Sequence, residues 1–285
     1  MNNSKMASRR DFLRSSALTA SAAGIFSPWS KLAPGESSKI TGDGLAMGIA
    51  GYTFHHVPLD QAIQMMQQVG VNALSIKDFY IPLNSAQEKI NEVLTKFKSA
   101  GIMIYAAGVI YMKTNAEVDQ AFDYAGKLGI RLIIGVPNSE LLPYVEQKVK
   151  ATKIRLAIHN HGPEDKLYPG PREVYEMIKN LDEGIGLCLD IGHALRAGQD
   201  PVQAVTAYAP RLFDLHVKDL AKNTPEESSV PLGRGIMNIP ALVRALNQIH
   251  FSGRCSLEYE VNEKDILPGL AESVGFFKGV NQVLA

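Results

Sequence analysis

From residue 45 onward the chain repeats one pattern: an amphipathic helical stretch, a glycine, and at once a short apolar run. The glycines are Gly70 before VNALSI, Gly101 before IMIYAAG, Gly129 before IRLIIG and Gly253 before RCSLEYE. Glycine readily takes the left-handed turn just past a helix end, so each one predicts a helix stop followed by a strand. The helical stretches carry a 3.6-residue period. Leu59, Ala62, Ile63 and Met66 share one face, as do Ile90, Val93, Leu94 and Phe97. Ser85 with Glu88 is expected to form a capping box ahead of the second helix. Asn115 is expected to cap the helix bearing Val118, Ala121, Phe122 and Ala125.

The strands read as near-continuous apolar runs, as parallel strands covered by helices must. They are expected at 45–51, 72–77, 102–108, 131–136, 155–161, 185–190, 212–217 and 255–260. Eight strands alternating with helices predict a single (β/α)8 TIM barrel over 45–285. The rival is a doubly wound sheet, and it fits less well because no GxGxxG turn follows the first strand. No stretch approaches the roughly 18 uncharged apolar residues of a membrane span. Cys188 and Cys255 each lie within an apolar run and are read as small buried hydrophobes.

Ahead of the repeat, residues 8–14 read SRRDFLR and are followed by the weakly apolar SSALTASAAGIF. Ser8, Arg9, Arg10, Phe12 and Leu13 resemble a bacterial twin-arginine signal, an export address rather than part of the fold. Residues 1–33 are therefore expected to be a signal peptide, with Ala20-Ser21-Ala22 as one cleavage site, and 34–44 a linker. This implies the twin-arginine export machinery as a partner and a periplasmic or exported location. The whole chain has 29 basic and 29 acidic residues. Without residues 1–33 the balance becomes 24 basic against 28 acidic. Such an acidic surface is a poor match for nucleic acid.

Several of the expected strands end on residues of the types that ligate metal ions. The fifth ends in His159 and His161, the sixth in Asp190, the seventh in His216, and the eighth in Glu258 and Glu260. Barrel active sites gather at the C-terminal strand ends, so residues far apart in sequence would meet on one rim. Alternation sends His159 and His161 the same way and Asn160 the other; Glu258 and Glu260 likewise share a direction, away from Cys255. Imidazoles and carboxylates from four adjacent strands make a mixed nitrogen–oxygen site for one divalent ion: Mn, Co, Zn, Fe, Ni or Mg. Without a cation, buried carboxylates in such a cluster would each cost several kcal/mol.

IGLCLDIGHALRAGQD resembles the LDxxH strand of the xylose isomerase-like TIM-barrel superfamily, the sugar phosphate isomerase/epimerase group. LFDLHVKD is similar to its HxKD strand, VPLGRGIMNIPALVRAL to the G-x-G and helix that follow, and SLEYE to its last strand. The likeness runs from about residue 45 to the end. It implies one divalent metal held by His159, Asp190, His216 and Glu258, with Glu258 preferred to Glu260 as the first acid of its strand. It also implies that His193 contacts a substrate oxygen and that His161 corresponds to the histidine of an ExH strand end.

One departure bears on chemistry. The epimerases of this group carry Glu where this chain has His159, and that Glu is both ligand and one of two proton-transfer carboxylates. A metal-bound imidazole is no base, so a two-carboxylate epimerisation is in doubt. Two chemistries survive on a keto sugar or glycoside: a one-base isomerisation, and elimination or hydration next to a keto group. In both the ion polarises substrate oxygens. Glu258, His161, His193 and Glu260 are the acid–base candidates, and Lys77 and Lys218 the oxyanion partners. Tyr52, Phe54, Phe79 and Tyr80 stand where they either wall a sugar face or pack in the core, and Arg234 meets substrate or solvent. An abasic-site nuclease is disfavoured, because the ends of strands two and three carry Lys77-Asp78 and Ala107-Gly108 instead of histidine. A non-catalytic sugar-binding barrel is the reading of another class.

Overall fold

The computed structural model describes residues 44–285 apart from 227 and 263. The expected signal peptide and all of the expected linker but Gly44 lie outside the described residues. Eight strands close a barrel: β1 (Ala46–Ala50), β2 (Ala73–Ile76), β3 (Met103–Met112), β4 (Leu132–Pro137), β5 (Arg155–His159), β6 (Ile185–Asp190), β7 (Leu212–Val217) and β8 (Arg254–Leu257). All neighbours are parallel, and ring order is chain order, with β8 closing on β1. Helices cover the outside: α1 (Leu59–Val69), α2 (Gln87–Ser99), α3 (Asn115–Leu128), α4 (Leu142–Thr152), α5 (Pro171–Ile178), α6 (Ile191–Arg196), α7 (Pro201–Ala207), α8 (Ile239–Gln248) and α9 (Leu267–Leu284). This is the (β/α)8 TIM barrel expected from the alternation. Among the described residues no helix is long and apolar enough to cross a membrane.

The helix stops follow the glycines in three cases of four. Gly70, Gly101 and Gly129 take left-handed φ of 64°, 74° and 71°. The fourth expectation is corrected: past α8 the left-handed residue is His250, at φ 51°. Gly253 is needed for space instead, since a Cβ there would stand 2.2 Å from the Phe213 carbonyl oxygen. Two caps are also corrected. Thr114, not Asn115, caps α3, and Glu117 completes the box by accepting from the Thr114 N–H at 3.0 Å. The α2 cap position is Ala86, which leaves Ser85 one residue too early to reach the helix N–H groups.

The lumen of the barrel is filled by Ala106, Leu132, Ile134, Ala157, Cys188 and Phe213, a cluster separate from the larger core between barrel and helices. Arg155 and Arg254 lie over the rings of Phe213 and Tyr105, at 4.6 and 5.2 Å. The β6–β7 register slips by one residue at Phe213, so Leu187 pairs with Leu212 but Cys188 with Asp214. That bulge leaves Asp214, and with it His216 two residues on, facing the lumen. Tyr105 spans the interior and donates to Asp214 Oδ2 at 2.7 Å while also meeting Ser256 Oγ.

Burial pushes the Asp214 carboxyl up to about 7, against the opposing pull of His216 and Tyr105. A folded-state value raised above the unfolded one gives stability that is complete below about pH 4 and lost as pH rises through about 7. Asp214→Asn should therefore melt close to wild type at pH 5 and above it at pH 8. The widening follows from about 1.4 kcal/mol per pH unit between the two values. A melting-temperature difference that is flat from pH 5 to 8 would contradict this assignment.

Candidate metal centre and active site

His159 is the last residue of β5, Asp190 the last of β6, His216 the penultimate of β7, and Glu258 the first beyond β8. Each stands two positions past another lumen residue: Ala157, Cys188, Asp214 and Ser256. The strand period of two therefore sends all four side chains inward above that layer. One donor atom from each lies within 4.8 Å of the others, and none of the four residues is more than 7% exposed. His159 Nε2 is 3.0 Å from His216 Nδ1 and 3.5 Å from Asp190 Oδ2, and His216 Nδ1 is 3.2 Å from Glu258 Oε1.

Those spacings fit a cation. Ligand bonds of about 2.0–2.2 Å set neighbouring donors roughly 3.0–3.5 Å apart. Asp190 Oδ2 is buried and accepts no hydrogen bond, although Lys218 Nζ stands 3.3 Å away. Burial lowers the His159 imidazole to about 3, leaving it neutral, as a ligand must be. Burial also presses His216 toward the neutral form, but Cys188 and Glu258 outweigh it and raise that imidazole. A histidine ligates in its neutral form, so a divalent ion bound here would have to displace any proton on that ring. The set of two imidazoles and two carboxylates suits first-row divalent ions.

The acidic side of the site is held by Lys218. This lysine is 3% exposed, yet its Nζ lies 2.7 Å from Glu258 Oε2, 2.7 Å from Glu260 Oε2 and 3.3 Å from Asp190 Oδ2. Burial alone would raise Glu258, but Lys218 and His216 hold it well below the carboxylate range. Asp190 is likewise lowered, by His193 and Lys218 against burial. Glu260 goes the other way, raised by burial despite Lys218.

Asp190 is fixed from two sides. Its Oδ1 accepts from the His193 N–H at 2.8 Å, capping α6. Asn160 clamps its main chain, accepting from the Asp190 N–H and donating to the Asp190 carbonyl, both at 3.0 Å. Asn160 does point away from the two histidines, as alternation requires, and its task there was not legible from sequence. Asp219, the acid next to Lys218, accepts four backbone N–H groups, those of Leu220, Gly233, Gly235 and Met237 at 2.9–3.0 Å. It folds the Gly-Arg-Gly loop against the chain just past the C-terminal end of β7.

A cavity of about 270 Å³ opens over the cluster, lined by His159 and Glu258 together with Lys77, Tyr111, His161, His193 and Glu260. That is slightly below the roughly 300–1,000 Å³ of ligand pockets, a size for a small molecule. His193 Nε2 is 4.0 Å from Asp190 Oδ2, and its Nδ1 is 2.9 Å from Arg196. Lys77 donates to the Val109 carbonyl at 2.6 Å. His161 and Glu260 lie past the ends of β5 and β8, so both strands stop short of their expected limits, although both side chains still reach the cavity. β3 instead runs four residues beyond its expected end and brings in Tyr111, whose signal was the continuing VIYM run. Among the aromatics, Tyr52 also lines the cavity; Phe54 is core, and Tyr80 donates to the Val57 carbonyl. Arg234 pairs with Glu272 on α9, at 2.7 Å.

The model of the xylose isomerase-like TIM barrel family matches residues 108–280. An uncharacterized protein from Parabacteroides distasonis is 28% identical, the match covering 84% of this chain and 99% of that one at TM-score 0.66. A D-psicose 3-epimerase, solved in the presence of D-fructose, is 16% identical over 84% of this chain and 99% of its own, at TM-score 0.69. The 3-keto-D-glucoside 4-epimerase of E. coli is 14% identical over 82% and 99%, at TM-score 0.67. Identities this low show the shared fold alone. No curated protein matches the chain.

Proposed function

Because the chain belongs to the xylose isomerase-like TIM barrel family, we propose that it is a divalent-metal-dependent enzyme that abstracts a proton next to the carbonyl of a keto sugar. The observation that carries this reading is the convergence of His159, Asp190, His216 and Glu258 within 4.8 Å at the floor of a cavity sized for a small molecule. The bound ion supplies Lewis-acid polarisation of substrate oxygens. The chain's own groups do the rest. Glu258 and Glu260 put carboxylates on one wall, within reach of a carbon-bound proton. Lys218 keeps those carboxylates from repelling one another. His161 and His193 offer ring nitrogens to substrate oxygens, and Lys77 adds a positive charge near the developing oxyanion.

A second reading is a 3-keto-glycoside lyase or hydratase on the same site, and His159 is as compatible with it as with a one-base isomerisation. Glutamate at this position would have given a second base; imidazole leaves the carboxylates on the strand β8 side and suits a reaction that needs only one. We place the work in the periplasm, following the twin-arginine stretch. The test uses the purified full chain. Metal analysis should find about one divalent ion per chain, and a chelator should abolish turnover that Mn, Co, Zn, Fe, Ni or Mg restores. Incubation with ketoses and 3-keto-glucosides in deuterated water, followed by NMR, separates the chemistries: solvent deuterium without cleavage means isomerisation, and a released aglycone means elimination. A bound keto sugar that is neither exchanged nor converted would favour a non-catalytic binding barrel.

A further inference from the structure

Tyr111, near the end of β3, is half exposed into the cavity, and its phenol oxygen lies 3.0 Å from His161 Nε2. The two rings stack with centroids 5.5 Å apart and planes at 26°. On the far side of the imidazole, His161 Nδ1 is 3.5 Å from Asp165 Oδ2. Asp165 is itself pinned, its Oδ1 accepting from the Leu167 and Tyr168 N–H groups at 2.7 and 3.0 Å. No hydrogen bond joins Asp165 to the imidazole, so the carboxylate acts on His161 by charge alone, while the imidazole meets the phenol that reaches the substrate space. Around the eight-strand ring, β3 is three places from β8 one way and five the other. The phenol therefore stands across the mouth from Glu258 and Glu260, on the side where His159 leaves no carboxylate.

We propose that Tyr111 is a catalytic acid that protonates the leaving oxygen of a keto glycoside, with His161 and Asp165 as its positioning residues. The inference rests on the keto-sugar reading above and selects its elimination form. A carboxylate of the opposite wall takes the proton on the carbon next to the carbonyl. The C–H electron pair becomes the enolate double bond; the enolate then collapses, restoring the carbonyl and forming a double bond between the α and β carbons as the bond from the β carbon to the leaving oxygen breaks, and that oxygen takes the phenolic proton. The phenolate recovers a proton from solvent at the open cavity, and the carboxylic acid formed on the opposite wall returns its proton to solvent, so both groups are reset. No electron acceptor is required. The substrate class is a 3-keto glycoside whose glycosidic oxygen lies β to the keto group.

The experiment compares wild type with Tyr111→Phe on two 3-keto-glucosides, one with an alkyl aglycone and one with a 4-nitrophenyl aglycone that leaves without help. Solvent deuterium exchange at the α carbon is followed in parallel. With the alkyl substrate, release should fall about 10²–10³-fold, the usual contribution of a general acid. Exchange should stay within about threefold, and the nitrophenyl substrate should recover most of the lost rate. Asp165→Asn should give a smaller loss with the same dependence on leaving group. A Tyr111→Phe enzyme that releases both aglycones like wild type, or loses both equally together with exchange, overturns the assignment and leaves the keto-sugar reading standing. A wild type that isomerises ketoses but releases no aglycone also overturns it alone. A wild type that neither exchanges nor converts any keto sugar overturns both.

Discussion

Asp190→Asn is expected to fold, to fail to hold the proposed divalent ion, and to lose activity by roughly three orders of magnitude, about 4 kcal/mol in the transition state. Asparagine isolates the charge. The amide oxygen can keep the cap on the His193 N–H, which an alanine would forfeit at about 1 kcal/mol. The Asn160 clamp holds the main chain of residue 190 and is untouched by the change. What disappears is the anionic Oδ2, which sits 3.5 Å from His159 Nε2 and 3.3 Å from Lys218 Nζ and accepts no hydrogen bond. A neutral amide there offers a weaker donor and leaves the two imidazoles opposed by Glu258 alone. Metal content by elemental analysis should fall from about one per chain toward zero, with the circular dichroism spectrum unchanged. Full activity in a metal-free Asp190→Asn protein would remove the metal from the mechanism.

Lys218→Met is expected to destabilise the metal-free protein by about 3–5 kcal/mol, the cost of removing one partner from a buried charge cluster. Methionine fills similar volume, so the loss is electrostatic. Asp190, Glu258 and Glu260 would then face one another with only imidazole protons between them. For a domain of this size each kcal/mol lowers the melting temperature by roughly 2–4 °C. The expected fall is therefore about 10 °C without metal. A divalent cation should restore at least half of it, because the more negative site binds the ion more tightly and a ligand that binds only the native state stabilises it by mass action. Calorimetry with and without added metal checks this. An equal fall in both conditions would mean that Lys218 packs rather than balances charge.

The convergence of His159, Asp190, His216 and Glu258 is legible in the sequence because two simple rules meet on them. Parallel barrels put function at strand ends, and His159, Asp190, His216 and Glu258 are the polar residues that interrupt apolar runs at those ends. Asn160, Asp165 and Tyr111 were not readable in the same way. An asparagine or aspartate in a loop looks alike whether it clamps a neighbouring strand or meets water. Tyr111 lies beyond Gly108, where a glycine after an apolar run reads as a strand end. Lys218 was legible as a candidate, but its confinement among three carboxylates was not. Nor was the bulge at Phe213, since a run such as LFDLHV carries no mark of which residue the partner strand skips.

The sequence alone determined the element order, the eightfold repeat and the helix stops at Gly70, Gly101 and Gly129, because these follow from side-chain periodicity and local backbone preference. Tertiary structure alone decided which polar atoms face one another. Closure of the ring joins β8 to β1 and brings residues a hundred positions apart, such as Glu258 and His159, to one floor. Local preference has no term for that meeting, since its energy exists only once the barrel has excluded water and burial has made each charge depend on its neighbour.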